Sequence, residues 1–140
     1  IRVSFWLRVR FSARYYTSVL THQTDSIVVL GPTASGTTAL GVALAQRCNG
    51  EIVSADSRQV YRGLDIGSGK DIDEYGEVPH HLIDIADLDA EYSVYDFQRD
   101  CFDTVDRIHA AQRTPIVVGG TGLYLESVLQ GYTMAHAPAN

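Results

Sequence analysis

Gly31-Pro32-Thr33-Ala34-Ser35-Gly36-Thr37-Thr38 follows the apolar run Ile27-Val28-Val29-Leu30 and opens an apolar-periodic segment from Ala39 to Cys48. Strand, glycine-bounded turn and helix together make the setting that a phosphate-binding loop requires. Glycines let the chain wrap an anion closely, successive N–H groups turn inward, and the positive end of the new helix faces the charge. The pattern G-x-x-x-x-G-K-[ST] wants lysine where this chain has Thr37. Thr38 fills the next place with a hydroxyl able to reach a metal ion. The alternative for the octapeptide is a plain strand-to-helix connection.

The rest of the chain repeats the alternation. Thr37–Cys48 reads as the first helix, with Asn49-Gly50 as its stop. Glu51-Ile52-Val53 is a second strand running into Ser54-Ala55-Asp56-Ser57, and Leu82-Ile83-Asp84-Ile85 is a third strand candidate. Between them, residues 62–79 hold Gly63, Gly67, Gly69, Gly76 and Pro79 among acids and read as an exposed loop with little regular structure. Ser93, three residues before Asp96, suits a helix N-terminal cap. Val94, Phe97, Cys101, Val105 and Ile108 then form one apolar stripe at three- and four-residue steps. Pro115-Ile116-Val117-Val118 is a fourth strand, apolar throughout as a strand buried on both faces should be. Gly119-Gly120-Thr121-Gly122 turns the chain into a last helix ending near Gly131. Such alternation implies a parallel sheet with helices on both faces, whose ligands bind beyond the carboxyl ends of the strands. Three marked turns fall there: Gly31–Thr38, Ser54–Gln59 and Gly119–Gly122.

A chain of 140 residues, 45% hydrophobic and 20% charged, suits one globular domain. No apolar run approaches the roughly 18–20 residues of a membrane span. Cys48 and Cys101 lie in helix-like stretches without metal-ligand spacing and read as buried thiols, which favours a cytoplasmic compartment over an oxidising one. The net charge of −6 is uneven: residues 1–24 carry four arginines and no acid, and the remainder carries 7 basic against 17 acidic residues. That acidic body argues against a nucleic-acid surface on charge alone. Residues 1–24 begin at Ile1 and are rich in Arg, Ser, Thr and Tyr. They are read as a disordered or non-native leader ahead of a domain starting near Asp25, the alternative being an organelle transit peptide.

Few side chains are equipped for chemistry. Asp56 closes a strand beside Ser54, Ser57 and Arg58; it can accept a proton, or it can cap a short helix over Ser57–Tyr61. Thr121 lies in the second glycine-rich turn, where anion binding and simple helix capping are both open. His80 and His81 are adjacent and point to opposite faces of an extended chain, so a structural role is expected for both rather than a shared metal. Lys70, the only lysine, lacks the glycine six residues earlier and the hydroxyl after it that a displaced phosphate loop would need. It could still lend charge to a phosphate from a neighbouring loop.

Five blocks carry a family resemblance: Gly31–Thr38; Ser54-Ala55-Asp56-Ser57-Arg58-Gln59-Val60-Tyr61-Arg62-Gly63-Leu64-Asp65-Ile66-Gly67; Val78-Pro79-His80-His81-Leu82-Ile83-Asp84-Ile85; Tyr92-Ser93-Val94; and Gly119-Gly120-Thr121-Gly122-Leu123-Tyr124. In this order and spacing they resemble the tRNA dimethylallyltransferases, also called tRNA isopentenyltransferases, over roughly residues 26–131. The resemblance implies a P-loop NTPase-like, three-layer α/β core, with residues 25–140 as its N-terminal part and the sheet incomplete at the C-terminal side. It implies transfer of a dimethylallyl group from dimethylallyl diphosphate to the exocyclic amine of the adenosine 3′ to the anticodon, with Mg2+ and release of diphosphate. Gly31, Pro32, Thr33, Ala34, Ser35, Gly36, Thr37 and Thr38 would hold the diphosphate, Thr38 placing the metal. Asp56 would be the general base, Thr121 would fix substrate at the chemistry, and Asp56, Ser57, Arg58 and Gln59 would contact the tRNA anticodon loop. A monomer in the cytoplasm is expected, with no membrane partner.

Two departures bear on activity. Thr37 stands where the family has lysine, and loss of one preorganised electrostatic contact typically lowers rates about 10²–10³-fold. The family's chain also continues well beyond Asn140, where further arginines and the tRNA-gripping helices, and so the basic surface, would lie. An impaired copy is therefore expected. The rival readings are an adenylate isopentenyltransferase, which prenylates a free nucleotide, a P-loop nucleotide kinase, and a degenerate fragment without catalysis.

Overall fold

Val28, Val29, Ile52, Val53, Ile116 and Val117 are each at most 1% exposed, so three short apolar runs lie within one sheet that is covered on both faces. The computed structural model describes residues 5–12, 23–31, 36–64 and 72–130. In chain order the elements are β1 (Phe5–Ser12), β2 (Gln23–Leu30), α1 (Thr37–Cys48), β3 (Gly50–Ser54), a 3-10 turn (Ile72–Tyr75), β4 (His80–His81), α2 (Val94–Ala110), β5 (Thr114–Gly119) and α3 (Gly122–Gln130). The sheet order is β1-β2-β5-β3-β4. The last four strands of that order run parallel, with Ile27 and Ile52 both opposite Ile116 and Val53 opposite His81.

Alternation along the strands sends neighbouring side chains into different layers. Val29, Ile52, Ile116 and Val118 pack with Val42 and Ala45 of α1 and with Tyr75 and Val78. Val28, Val53 and Val117 pack on the other face with Phe97, Cys101, Val105 and Ile108 of α2 and with Leu125 and Val128 of α3. The result is the three-layer α/β architecture expected of a phosphate-loop protein.

The expected α1, α2 and β5 form, and the Ser93 cap is reciprocal. The amide of Asp96 donates to Ser93 Oγ at 3.2 Å, and the amide of Ser93 donates to Asp96 Oδ2 at 2.9 Å. Four expectations need correction. Phe5–Ser12, set apart as leader, forms β1 antiparallel to β2, with Phe5 opposite Leu30 and Ser12 opposite Gln23. Phe5, Leu7, Val9 and Phe11 alternate with Arg8, Arg10 and Ser12, a period-two strand pattern hidden under the charge bias. The third strand is His80–His81 rather than Leu82–Ile85, because Leu82 and Asp84 take positive φ values of 64° and 54° and break the ladder. The backbone turns there so that the amides of Asp84 and Ile85 donate to the carbonyls of Gln59 and Val60. The long loop also supplies a core residue, Tyr75, which stacks on His80 with ring centres 4.6 Å apart. Finally, Cys48 is only half-buried, its Sγ donating to the Leu44 carbonyl, whereas Cys101 is fully buried; both are free thiols.

Candidate active site

The carboxyl ends of β2, β5 and β3 carry the three marked turns, and the structure brings them into contact. A β-carbon on Gly120 would lie 3.0 Å from the Gly31 carbonyl, so the start of the phosphate-loop pattern abuts the second glycine-rich turn. A β-carbon on Gly119 would overlap the Ala55 carbonyl, which is why that position needs glycine. The same carbonyl accepts from the Thr121 amide at 3.3 Å, and the Ala55 amide donates to Val118 O at 2.8 Å.

Thr121 ties the turns together by its side chain. Its Oγ1 accepts from the Ser57 amide at 3.0 Å and lies 3.4 Å from Ser57 Oγ. The hydroxyl therefore reaches across to the turn after β3 instead of capping its own helix. Asp56 Oδ1 accepts from the amides of Arg58 at 2.8 Å and Gln59 at 3.4 Å, which holds Ser57–Val60 as a turn; no helix forms over Ser57–Tyr61. The carboxylate is thus fixed to the turn through Oδ1, and a carboxylate so placed has the chemistry to accept a proton. Arg58 is exposed, whereas Gln59 is buried. Tyr124 is stacked on Phe97 with ring centres 4.2 Å apart. Burial first, then the nearby Tyr61 and Asp56, push its phenol up to about 12.

On the phosphate side, Gly36 has φ 84° and precedes α1 without a side-chain cap, so the first amides of that helix are left to other acceptors. Thr37 and Thr38, in its first turn, are half-buried. Pro32, Thr33, Ala34 and Ser35 lie outside the described residues, as does Lys70. Among the described residues no group of three or more His, Cys, Asp or Glu could hold a metal. His81 Nε2 lies 3.4 Å from Glu51 Oε2, and His80 is the ring stacked on Tyr75. Sequence reasoning missed the buried bond from Ser54 Oγ to Gln59 Oε1 at 3.0 Å, a five-residue spacing that belongs to no helical or strand period. No helix of the described residues is long and apolar enough to cross a membrane.

Four parallel strands edged by the antiparallel β1, with a phosphate-loop pattern at a helix start and a carboxylate on the neighbouring turn, define an α/β protein with a P-loop NTPase-like fold. A family profile described as IPP transferase matches residues 59–140, and one described as isopentenyl transferase matches residues 24–79. The chain belongs to the IPP transferase family. It is 59% identical over 114 residues to tRNA dimethylallyltransferase 1 of Geotalea daltonii, covering 81% of this chain and 37% of that protein. It is 53% identical over 121 residues to tRNA dimethylallyltransferase 2 of Treponema denticola, covering 86% and 41%. Among solved structures it resembles the full-length tRNA isopentenylpyrophosphate transferase of Bacillus halodurans, with a TM-score of 0.74 and 46% identity over 81% of this chain and 37% of that one. A eukaryotic dimethylallyltransferase acting on tRNA matches with a TM-score of 0.68 and 37% identity, over 71% of this chain and 25% of that one. The chain thus spans about two-fifths of the length of its curated relatives.

Proposed function

We propose that the protein carrying this chain transfers a dimethylallyl group from its diphosphate to the exocyclic amine of the adenosine 3′ to the anticodon of tRNA. The observation that carries this reading is the meeting of the turns after β2, β5 and β3, in which Gly120 abuts Gly31 and Gly119 abuts Ala55, the neighbour of Asp56. Relatives named for the same reaction on tRNA, at 53–59% identity, favour a tRNA acceptor over a free adenylate. In the step itself, the amine nitrogen bonds to the allylic C1 while the C1–O bond breaks, and the electron pair leaves with diphosphate. Asp56 Oδ2 takes the proton that the amine sheds. Thr121, locked to Ser57, holds the acceptor side in register with it.

Gly31–Thr38 binds the diphosphate in this proposal, with the uncapped α1 amides facing its developing charge. Mg2+, when bound, adds positive charge to the leaving group. The Thr38 hydroxyl would hold it, with phosphate oxygens and water completing the set, since Mg2+ needs no all-protein cage. Thr37 removes the lysine of the pattern and leaves turnover impaired. The target base must be unstacked to reach Asp56, which suits an anticodon loop. The test is transfer of radiolabelled dimethylallyl groups to unmodified tRNA by the full-length protein. Label in tRNA that disappears with Asp56→Asn supports the proposal, and label that persists with that substitution overturns it.

A further inference from the structure

Ser54 is the last residue of β3, between Val53 and Ala55, and is 2% exposed. A buried hydroxyl in such surroundings is unfavourable unless bonded. Its partner is Gln59 Oε1 at 3.0 Å, on a residue itself only 8% exposed. Gln59 is in turn joined to the site by its backbone. Its amide reaches Asp56 Oδ1 at 3.4 Å, and its carbonyl accepts from the Asp84 amide at 3.0 Å.

We propose that Ser54 is a positioning residue for the transfer, acting through Gln59 to hold the turn that presents Asp56. The inference rests on the proposed role of Asp56 as base. One end of the strut stands on the sheet, where Ser54 sits opposite Val118, and the other ends on the amide that bonds the carboxylate. Rigid support of this kind keeps a reacting group within a fraction of an ångström of its productive place. Within the turn Gln59 is buried, whereas Arg58 is exposed.

The experiment uses the full-length protein, with and without Thr37→Lys, and compares Ser54→Ala, Gln59→Leu and the double variant. Misplacement of a reacting group of up to an ångström lowers rates as much as about 10²-fold, so kcat for tRNA should fall between about ten- and a hundredfold, with KM for dimethylallyl diphosphate unchanged. The double variant should be no slower than the worse single one, because both remove the same strut. Hydrogen exchange at the Arg58 and Gln59 amides should quicken in Ser54→Ala. Parent-like kcat in Ser54→Ala, additive losses, or unchanged exchange at these amides would overturn the proposal. Ser54→Cys, nearly isosteric with a weak donor, takes the place of Ser54→Ala should the latter not fold. Absence of transfer in every chain overturns the assigned function instead, and the exchange rates alone then decide whether Ser54 holds the turn.

Discussion

Thr37 is half-buried in the first turn of α1, at the place where the phosphate-loop pattern calls for lysine. In the proposed reaction a lysine there would direct a full positive charge at the leaving diphosphate, so Thr37→Lys should raise turnover by about 10²–10³-fold. Steady-state prenyl transfer measures it, and an unchanged kcat would show that another cation already serves. Asp56→Asn keeps the shape of the turn, because an amide oxygen can still accept from Arg58 and Gln59, but it removes the proposed proton acceptor. General bases typically contribute about 10²–10⁴-fold, so kcat should fall by that factor with little change in thermal midpoint. Gly119→Ala acts differently. Its new methyl would overlap the Ala55 carbonyl, backbone against backbone. Overpacking of this kind usually destabilises by about 1–3 kcal/mol, which urea unfolding would read. These residues were legible from sequence because glycines, hydroxyls and one acid recur at strand ends. Ser54 was not, since nothing in its local pattern names a partner five residues away.

At the scale of elements, α2 was the most legible. Phe97, Cys101, Val105 and Ile108 form the stripe that the spacing required, and all are at most 2% exposed. Its cap is reciprocal, so Ser93→Ala should lower stability by about 1 kcal/mol, readable as a shift in denaturant midpoint. Phe97→Ala should lower it by about 3–5 kcal/mol, since the ring is fully buried and stacked on Tyr124. Elements made by distant pairing were poorly legible. β4 is two residues long and exists because it pairs with Ile52 and Val53, whereas the local pattern placed the strand at Leu82–Ile85. The Tyr61–Ala86 bridge and the 3-10 turn around Tyr75 likewise depend on contacts that no local period encodes. β1 shows the opposite case: its alternation was present, and the arginine bias drew the reading away from a strand.

Over the whole molecule, the core layer beneath α2 and α3 holds groups that resist ionisation. Burial pushes the Cys101 thiol up to about 12 from an ordinary value of 9.0. A raised value means the folded chain keeps its proton where the unfolded chain has lost it, so stability is full below about 9 and declines as pH rises toward 12. Tyr124 adds to the same decline from about 10 upward. Urea midpoints should therefore fall between pH 9 and 11, and Cys101→Ala should flatten the onset of that fall, even though it lowers stability at neutral pH. The three turns, by contrast, bear on function, and they meet only because the sheet order places β5 between β2 and β3. That convergence was expected from the strand–helix alternation, and the contacts among Gly31, Gly120, Ala55 and Thr121 realise it. The most direct test of the central claim is acceptor choice. The full-length protein carrying Thr37→Lys would be given labelled dimethylallyl diphosphate with unmodified tRNA and, separately, with adenosine monophosphate. The account predicts label in the adenosine 3′ to the anticodon, none on the nucleotide, and loss of transfer with Asp56→Asn. Label on the free nucleotide alone, or transfer to tRNA that survives Asp56→Asn, would contradict it.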